Sequence, residues 1–436
     1  MRNLNIIYLE LKHFLKSKAK VLSFLFFVFA CVYSIFNGFE LQEKQIATIN
    51  NIQLEENETI SKMVTWFENG EKGPKDRSWI DITDPYWSVR YTPTYLIKNP
   101  SKLLPVGIGQ AEQYGYYQKV SIWSSTFDGD IVEEISNYER LVNGNIDFSF
   151  LILFLLPLLL IILTYNLNGL EKDLKFNNLI AIQTGNNNSW IFYRLMFYVF
   201  LILVTVDSLF LSVGFINNVI TSDLFNLILL SNIYILVFII LFYFIIIKSN
   251  SSTSIAFKMI SLWLLLCVLI PGAVHQFVNI KHPTNYMIDF LDANRKDTYD
   301  VFKFTKEELN DNLLNIYTDL ESTEHAQKTS IDRTVVRNCM SAIVNQLNIA
   351  AINKIEQQND EKNRLIKKTY WFNPLSFFQN KWNAITSTDY DSYKNYRNYI
   401  QSNINDRLEL LTFECWDDKK VDLNTFNEYL KVLQSQ

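Results

Sequence analysis

Histidines stand at positions 13, 275, 282 and 325. His275 and His282 are seven apart, with no HExxH and no CxxC near them, so a metal centre would need assembly from distant parts of the chain. None is expected. Gly107-Ile108-Gly109 carries two glycines of a dinucleotide loop. The third glycine and the acid that would hold a ribose are missing, so the stretch reads as a turn. No GxxxxGK[ST] loop occurs, so the chain cannot itself cradle nucleotide phosphates, and no GxSxG elbow offers a nucleophile. No catalytic constellation is left, and no enzyme is expected.

Three features carry physical tension rather than catalysis. Asp207 lies in Val204-Thr205-Val206-Asp207-Ser208, well inside an apolar run. A carboxylate there costs about 2.5–3.5 kcal/mol on insertion scales unless it faces protein or water. It either lines a pathway or helix interface, or is a protonated or hydrogen-bonded acid near the outer third of the span. Pro157 in Leu155-Leu156-Pro157-Leu158 frees a backbone carbonyl and is expected to kink its helix. Cys339 and Cys415 lie in a polar stretch, where an oxidising compartment would let them form a disulfide. The alternative is two free or buried thiols.

The stretch from Gly169 to Gly185 has a different character. Leu170, Leu174, Phe176, Leu179 and Ile180 are spaced for a short amphipathic helix. Glu171 and Asp173 fall in its first turn, where the helix dipole favours acids, with Lys172 between them. Such a helix either docks a partner or lies among lipid headgroups.

The elements that must position these residues are mostly apolar runs. Of the 436 residues 49% are hydrophobic, yet the mean hydropathy is only +0.03 because two long polar blocks dilute the apolar segments. The runs are Val21–Phe39, Phe148–Leu167, Ile191–Ile216, Leu224–Ile247 and Ile255–Val274. Each is long enough to cross a bilayer, which takes about 20 apolar residues. The first lacks a small-residue cleavage site and is read as a retained span. A net charge of −5 gives no basic surface for nucleic acid.

Arg2, Lys12, Lys16, Lys18 and Lys20 face one acid, Glu10, before the first span, so the positive-inside rule places this end in the cytoplasm. Residues 1–20 read as an amphipathic helix on the membrane surface, touching lipid, in preference to a simple cytoplasmic extension of the first span. The fold class expected is an all-α polytopic membrane domain. It has five transmembrane helices, N-terminus in and C-terminus out. Residues 40–147 form an extracytoplasmic α+β insertion, with a helical start, a turn-rich middle and a helix over 129–142. Residues 275–436 form a helical extracytoplasmic domain standing off the membrane. In it a capping box at Thr305 and Glu308 starts one helix, and others cover 331–369, 391–413 and 424–433. Spans two to five occupy 148–274, with the 169–185 helix on the cytoplasmic side.

The order of these parts resembles the permease subunits of type-2 ABC exporters. The likeness rests on Glu171-Lys172-Asp173, Asn178-Leu179-Ile180, and Ser189 and Arg194 entering the third span, together with the amphipathic N-terminal elbow. A bacterial subgroup with large insertions after spans one and five is similar in Leu104-Pro-Val-Gly-Ile-Gly109, Asn143-Gly-Asn-Ile-Asp147-Phe148, Leu156-Pro157-Leu158, and Asn373-Pro374 followed by Tyr393, Tyr396 and Arg397. Two positions depart from the pattern. The glycine usual after the Glu is replaced by Asp173-Leu174-Lys175, and no sixth apolar run follows Phe413.

The resemblance implies that 169–185 is a coupling helix docking a separate ATPase, which binds ATP and magnesium. It also implies a second permease, the same or different, in the bacterial cytoplasmic membrane. The chain would convert the ATPase's state into movement of its spans, exporting a substrate. Two alternatives are a non-transporting subunit that passes force to the extracytoplasmic blocks, and an anchored sensor or interaction protein with no ATPase. With five spans, a reporter after Gln436 is expected to read extracytoplasmic.

Overall fold

The computed structural model describes residues 2–136, 146–176, 182, 187–283, 296, 298–328 and 332–434. It is mostly helical. Five helices are long and apolar enough to cross a membrane: Lys18–Asn69, Phe148–Asp173, Asn188–Ile216, Ser222–Lys248 and Ser252–Lys281. They are called spans 1 to 5. Ahead of them runs α1 (Arg2–Lys16), and span 1 is the first part of α2 (Lys18–Asn69), a single helix of 52 residues. Ser17 is extended and makes the corner between α1 and α2.

The polar elements follow in chain order: α3 (Pro85–Tyr91), β1 (Tyr95–Ile97), β2 (Tyr117–Lys119), α4 (Asp128–Ser136), α5 (Lys306–Ile316), α6 (Arg333–Asn338), α7 (Met340–Lys368), α8 (Pro374–Ile385), α9 (Tyr390–Trp416) and α10 (Leu423–Leu433). The strands pair antiparallel, with Leu96 opposite Gln118. The Thr305–Glu308 capping box is present at the start of α5. The helix expected over 331–369 is two helices, because Cys339 leaves helical geometry and its N–H turns to the Val336 carbonyl. The described part of the helix expected over 129–142 is α4.

Two findings correct the expected division into separate blocks. First, residues from 40–147 and from 275–436 share one apolar core. Met63, Val89, Leu96 and Val120 pack in the same cluster as Leu313, Ile343, Ile404 and Phe426. Polar contacts run the same way. Buried Arg407 of α9 donates to the carbonyls of Val89 and Thr92, closing the C-terminus of α3, which would otherwise hold carbonyls without partners. Arg397 reaches Glu356 of α7 at 2.7 Å and Asp130 of α4 at 3.5 Å.

Second, the 275–436 block does not stand clear of the spans. Leu375, Phe378 and Trp382 on α8 are buried in the core of the span bundle. The Trp382 ring lies against Phe148 of span 2 and Phe210 of span 3, and its Nε1 donates to the Val106 carbonyl at 2.9 Å. Phe378 meets Tyr234 of span 4 at 5.0 Å between ring centroids. Tyr234 is 12 residues into that helix (234 − 222), about 18 Å along it at 1.5 Å per residue. α8 therefore reaches roughly halfway down span 4. The reason is composition. Its i, i+4 neighbours Phe378 and Trp382, with Leu375, make one large apolar stripe, and the span bundle covers it.

The loop before α8's contact site has to fit tightly. Gly109 takes φ 51°, and a Cβ there would lie 2.4 Å from Thr388 Oγ1. Thr388 in turn donates to the Gly107 carbonyl at 3.1 Å. The turn read from Gly107-Ile108-Gly109 is thus the seat for the end of α8.

Candidate functional site at the end of span 2

Span 2 closes with the short helix Gly169–Asp173. Two local features bring it there. Asn168 takes φ 64° and its amide donates to the Ile246 carbonyl at 3.0 Å. Gly169 then passes so near span 5 that a Cβ would sit 2.6 Å from the Ser252 Cα. The three charges that follow each go to a different span. Glu171 pairs with Arg194 on span 3. Lys172 Nζ donates to the Ser249 carbonyl at 2.6 Å, where span 4 ends and a cation complements the helix dipole. Asp173 accepts the Ser252 N–H at 3.3 Å, where span 5 begins.

Arg194 ties in a further helix. Its Nε donates to Glu10 of α1 at 2.5 Å, while Nη1 holds Glu171. Glu10 also accepts the Tyr198 hydroxyl at 2.7 Å. That hydroxyl accepts from Lys20 Nζ at 2.9 Å, and Lys20 donates as well to the Leu163 carbonyl at 2.6 Å and to Asn166 Oδ1 at 2.9 Å. Glu10 is only 2% exposed, and Arg194 and Lys20 are each 7% exposed. Arg194 meets both carboxylates, while Lys20 reaches Glu10 only through the Tyr198 hydroxyl, so the cluster holds two cations and two carboxylates. Removing one partner from such a set costs about 3–5 kcal/mol, because a charge is left buried and unpaired. α1, α2, span 2 and span 3 are thereby clasped together. Ile6, Glu10 and Phe14, spaced four apart, form the inward stripe of α1, and Phe14 packs on Phe197 and Tyr198.

The opposite face of this segment is apolar and open. Leu170, Leu174 and Phe176 are 47%, 55% and 51% exposed. The helix expected over 169–185 is corrected here. It ends at Asp173, and Lys175 takes φ 60°, a left-handed geometry that a continuing helix cannot accept. Leu179 and Ile180 lie outside the described residues.

The other residues singled out from sequence lie elsewhere. Pro157 does not simply kink span 2. A wide π turn at Leu151–Leu155 precedes it, and the freed carbonyls find side-chain donors. Tyr234 of span 4 donates to Leu153 at 2.5 Å, and Trp263 of span 5 to Phe154 at 3.0 Å. Asp207 accepts from Asn232 of span 4 at 3.4 Å, which places it on a helix interface. Cys339 and Cys415 are buried free thiols in one core. The Cys415 thiol is pushed well above its usual pKa by its hydrogen bond to Cys339 and by burial. Among the described residues no group of three or more His, Cys, Asp or Glu could hold a metal ion.

Sequence reasoning missed the inward roles of Glu10, Lys20 and Tyr198. One signal was available: Glu10 is the single acid among the basic residues of 1–20, on the same stripe as Ile6 and Phe14. No family model matches the chain, and comparison with the curated proteins and with the solved structures finds no similar protein.

Proposed function

We propose that this chain is the transmembrane permease subunit of an ABC-type export complex in a bacterial cytoplasmic membrane. A separate ATPase subunit binds ATP and magnesium and docks on the exposed face of residues 170–176. A second permease, the same chain or a paralogue, completes the bundle. α1 lies on the cytoplasmic surface, and the polar elements are extracytoplasmic. The chain itself performs no catalysis.

The observation that carries this reading is the pairing of one outward apolar face with three inward charges. Leu174 and Phe176 are free to be touched, while Glu171, Lys172 and Asp173 bind spans 3, 4 and 5. An ATPase pushing there moves most of the bundle. Such a partner shifts the permease between two packings only by its differential affinity for them. The second reading, force delivered to the extracytoplasmic block without transport, is favoured by one fact: α8 of that block is seated inside the span bundle.

The test is purification of the full chain from its native membrane. A P-loop ATPase is expected to co-purify, and to be lost from Leu174→Asp and Phe176→Asp variants whose melting temperature is unchanged. A wild-type complex without any ATPase sinks both readings in favour of an anchored sensor. Solute accumulation in cells with an ATPase-dead partner supports export. Unchanged solute levels, with altered proteolysis of the polar block, support force transmission.

A further inference from the structure

Spans 1 and 2 do not close on each other along one side. Between them lies a cavity of about 400 Å³, lined by Leu22, Phe26 and Ala30 of span 1 and by Leu155, Leu158 and Ile162 of span 2. It opens sideways, since Leu22 and Phe26 are 65% and 70% exposed. Its wall on span 1 includes the helical row 22, 26 and 30 at four-residue spacing, flanked by Ser23 and Phe27. From Leu22 to Ala30 the row runs about 12 Å. One leaflet of a hydrocarbon core about 30 Å thick is some 15 Å deep.

The same row continues one turn further, to Lys18. Lys18 is exposed, as are Lys12 and Lys16 on the last turns of α1. Among the described residues none of these three lysines forms an ion pair, whereas Lys20 is drawn into the buried clasp. The corner at Ser17 thus carries three exposed lysines. Lys12 lies over the Tyr8 ring at 4.5 Å, and Lys18 stands one helical turn above Leu22 at the end of a leaflet-deep apolar groove. Charge at one end and length at the other select the occupant.

We propose that this groove binds one anionic phospholipid, its phosphate at Lys18 and Lys16 and one acyl chain between spans 1 and 2. Lysine ammonium groups near a membrane surface each contribute attraction to anionic lipid, and the buried chain adds apolar contact. The site needs only that the spans sit in a bilayer, so it stands apart from any ATPase. Because the groove borders the π turn and Pro157, a bound chain would support span 2 where its backbone ladder is interrupted.

Native mass spectrometry of the full chain, exchanged into detergent with equal phosphatidylglycerol and phosphatidylcholine, tests this. The expected result is several-fold more phosphatidylglycerol than phosphatidylcholine adducts on the wild type. Lys18→Gln with Lys16→Gln, both at exposed positions, should bring the two lipids level without changing the melting temperature. Ala30→Trp, which fills the groove, should remove both adducts. Equal retention by the wild type overturns the proposal, as does a preference that survives the lysine variants. A disulfide between two copies through Leu22→Cys in bilayers, with no lipid adduct, would assign the groove to a second chain instead.

Discussion

The guanidinium of Arg194 and the carboxylate of Glu10 meet at 2.5 Å although 184 positions separate them in the chain. Glu171 sits on the other arm of the same guanidinium. Arg194→Met would leave two carboxylates facing each other in a buried place. It should lower stability by about 3–5 kcal/mol. Arg194→Lys keeps the charge but not the fork, so it should fall between the two. Thermal unfolding of the purified chain in detergent checks the order. A Met variant that melts with the wild type would mean the clasp contributes nothing.

Tyr234 supplies the donor that Pro157 removes. Tyr234→Phe keeps the ring against Phe378 but leaves the Leu153 carbonyl only the weak Cys267 thiol donor at 4.0 Å. A loss of about 1–2 kcal/mol is expected. Pro157→Ala offers that carbonyl an intrahelical N–H, so in the Tyr234→Phe background it should recover part of the loss. Additive losses in the double variant would show that the two residues are unrelated.

Gly109 is held where only glycine fits. Gly109→Ala adds a methyl at 2.4 Å from Thr388 Oγ1 and puts alanine at φ 51°. The cost should be about 1–3 kcal/mol. Thr388→Ala should relieve the contact but not the backbone strain, so only part of the loss returns. The informative readout is protease sensitivity around 369–389, because the displaced element is the seat of α8.

Asp130 gives the polar block a pH dependence. Burial pushes its pKa from 3.8 up to about 6, against the pull of Arg397 and the Gly115 N–H; Glu356 nearby also raises it. In the folded state the carboxyl therefore holds its proton through a window where the unfolded chain has lost it. Stability falls as pH rises from about 4 to 6, by roughly 2–3 kcal/mol at 1.36 kcal/mol per pKa unit. Asp130→Asn should flatten that slope in unfolding curves taken across the window. A slope that persists in the variant would assign it to another group.

Much of the membrane part was legible because its signal is local. Apolar runs of about 20 residues need no tertiary context, and all five reappear as long apolar helices. α9 and α10 agree with their periodicity to within a few residues. What escaped depends on contacts between distant positions. Leu375, Phe378 and Trp382 read as the apolar face of any amphipathic helix, and nothing in their spacing says that the covering surface is a set of spans. Lys20 reads as one more basic flank, and only the fold shows its ammonium turned onto Asn166 and Tyr198. The break after Asp173 was hidden too, since Lys175 is not a residue that announces a left-handed turn.

The unbroken length of α2 sets a scale for motion. Its 52 residues make a rod of about 78 Å. The Lys18 end is clasped beside Lys20, and the Asn69 end is packed among the polar helices. With no joint between them, any tilt of span 1 is multiplied by distance. A rotation of about 5° about the Lys18 end carries Asn69 sideways by about 7 Å on a rod of that length. Partway along, Gly38 lies against Pro105 and Gln42 Nε2 donates to the Ser101 carbonyl at 2.9 Å, so a tilt of the rod would have to carry residues 101–106 with it.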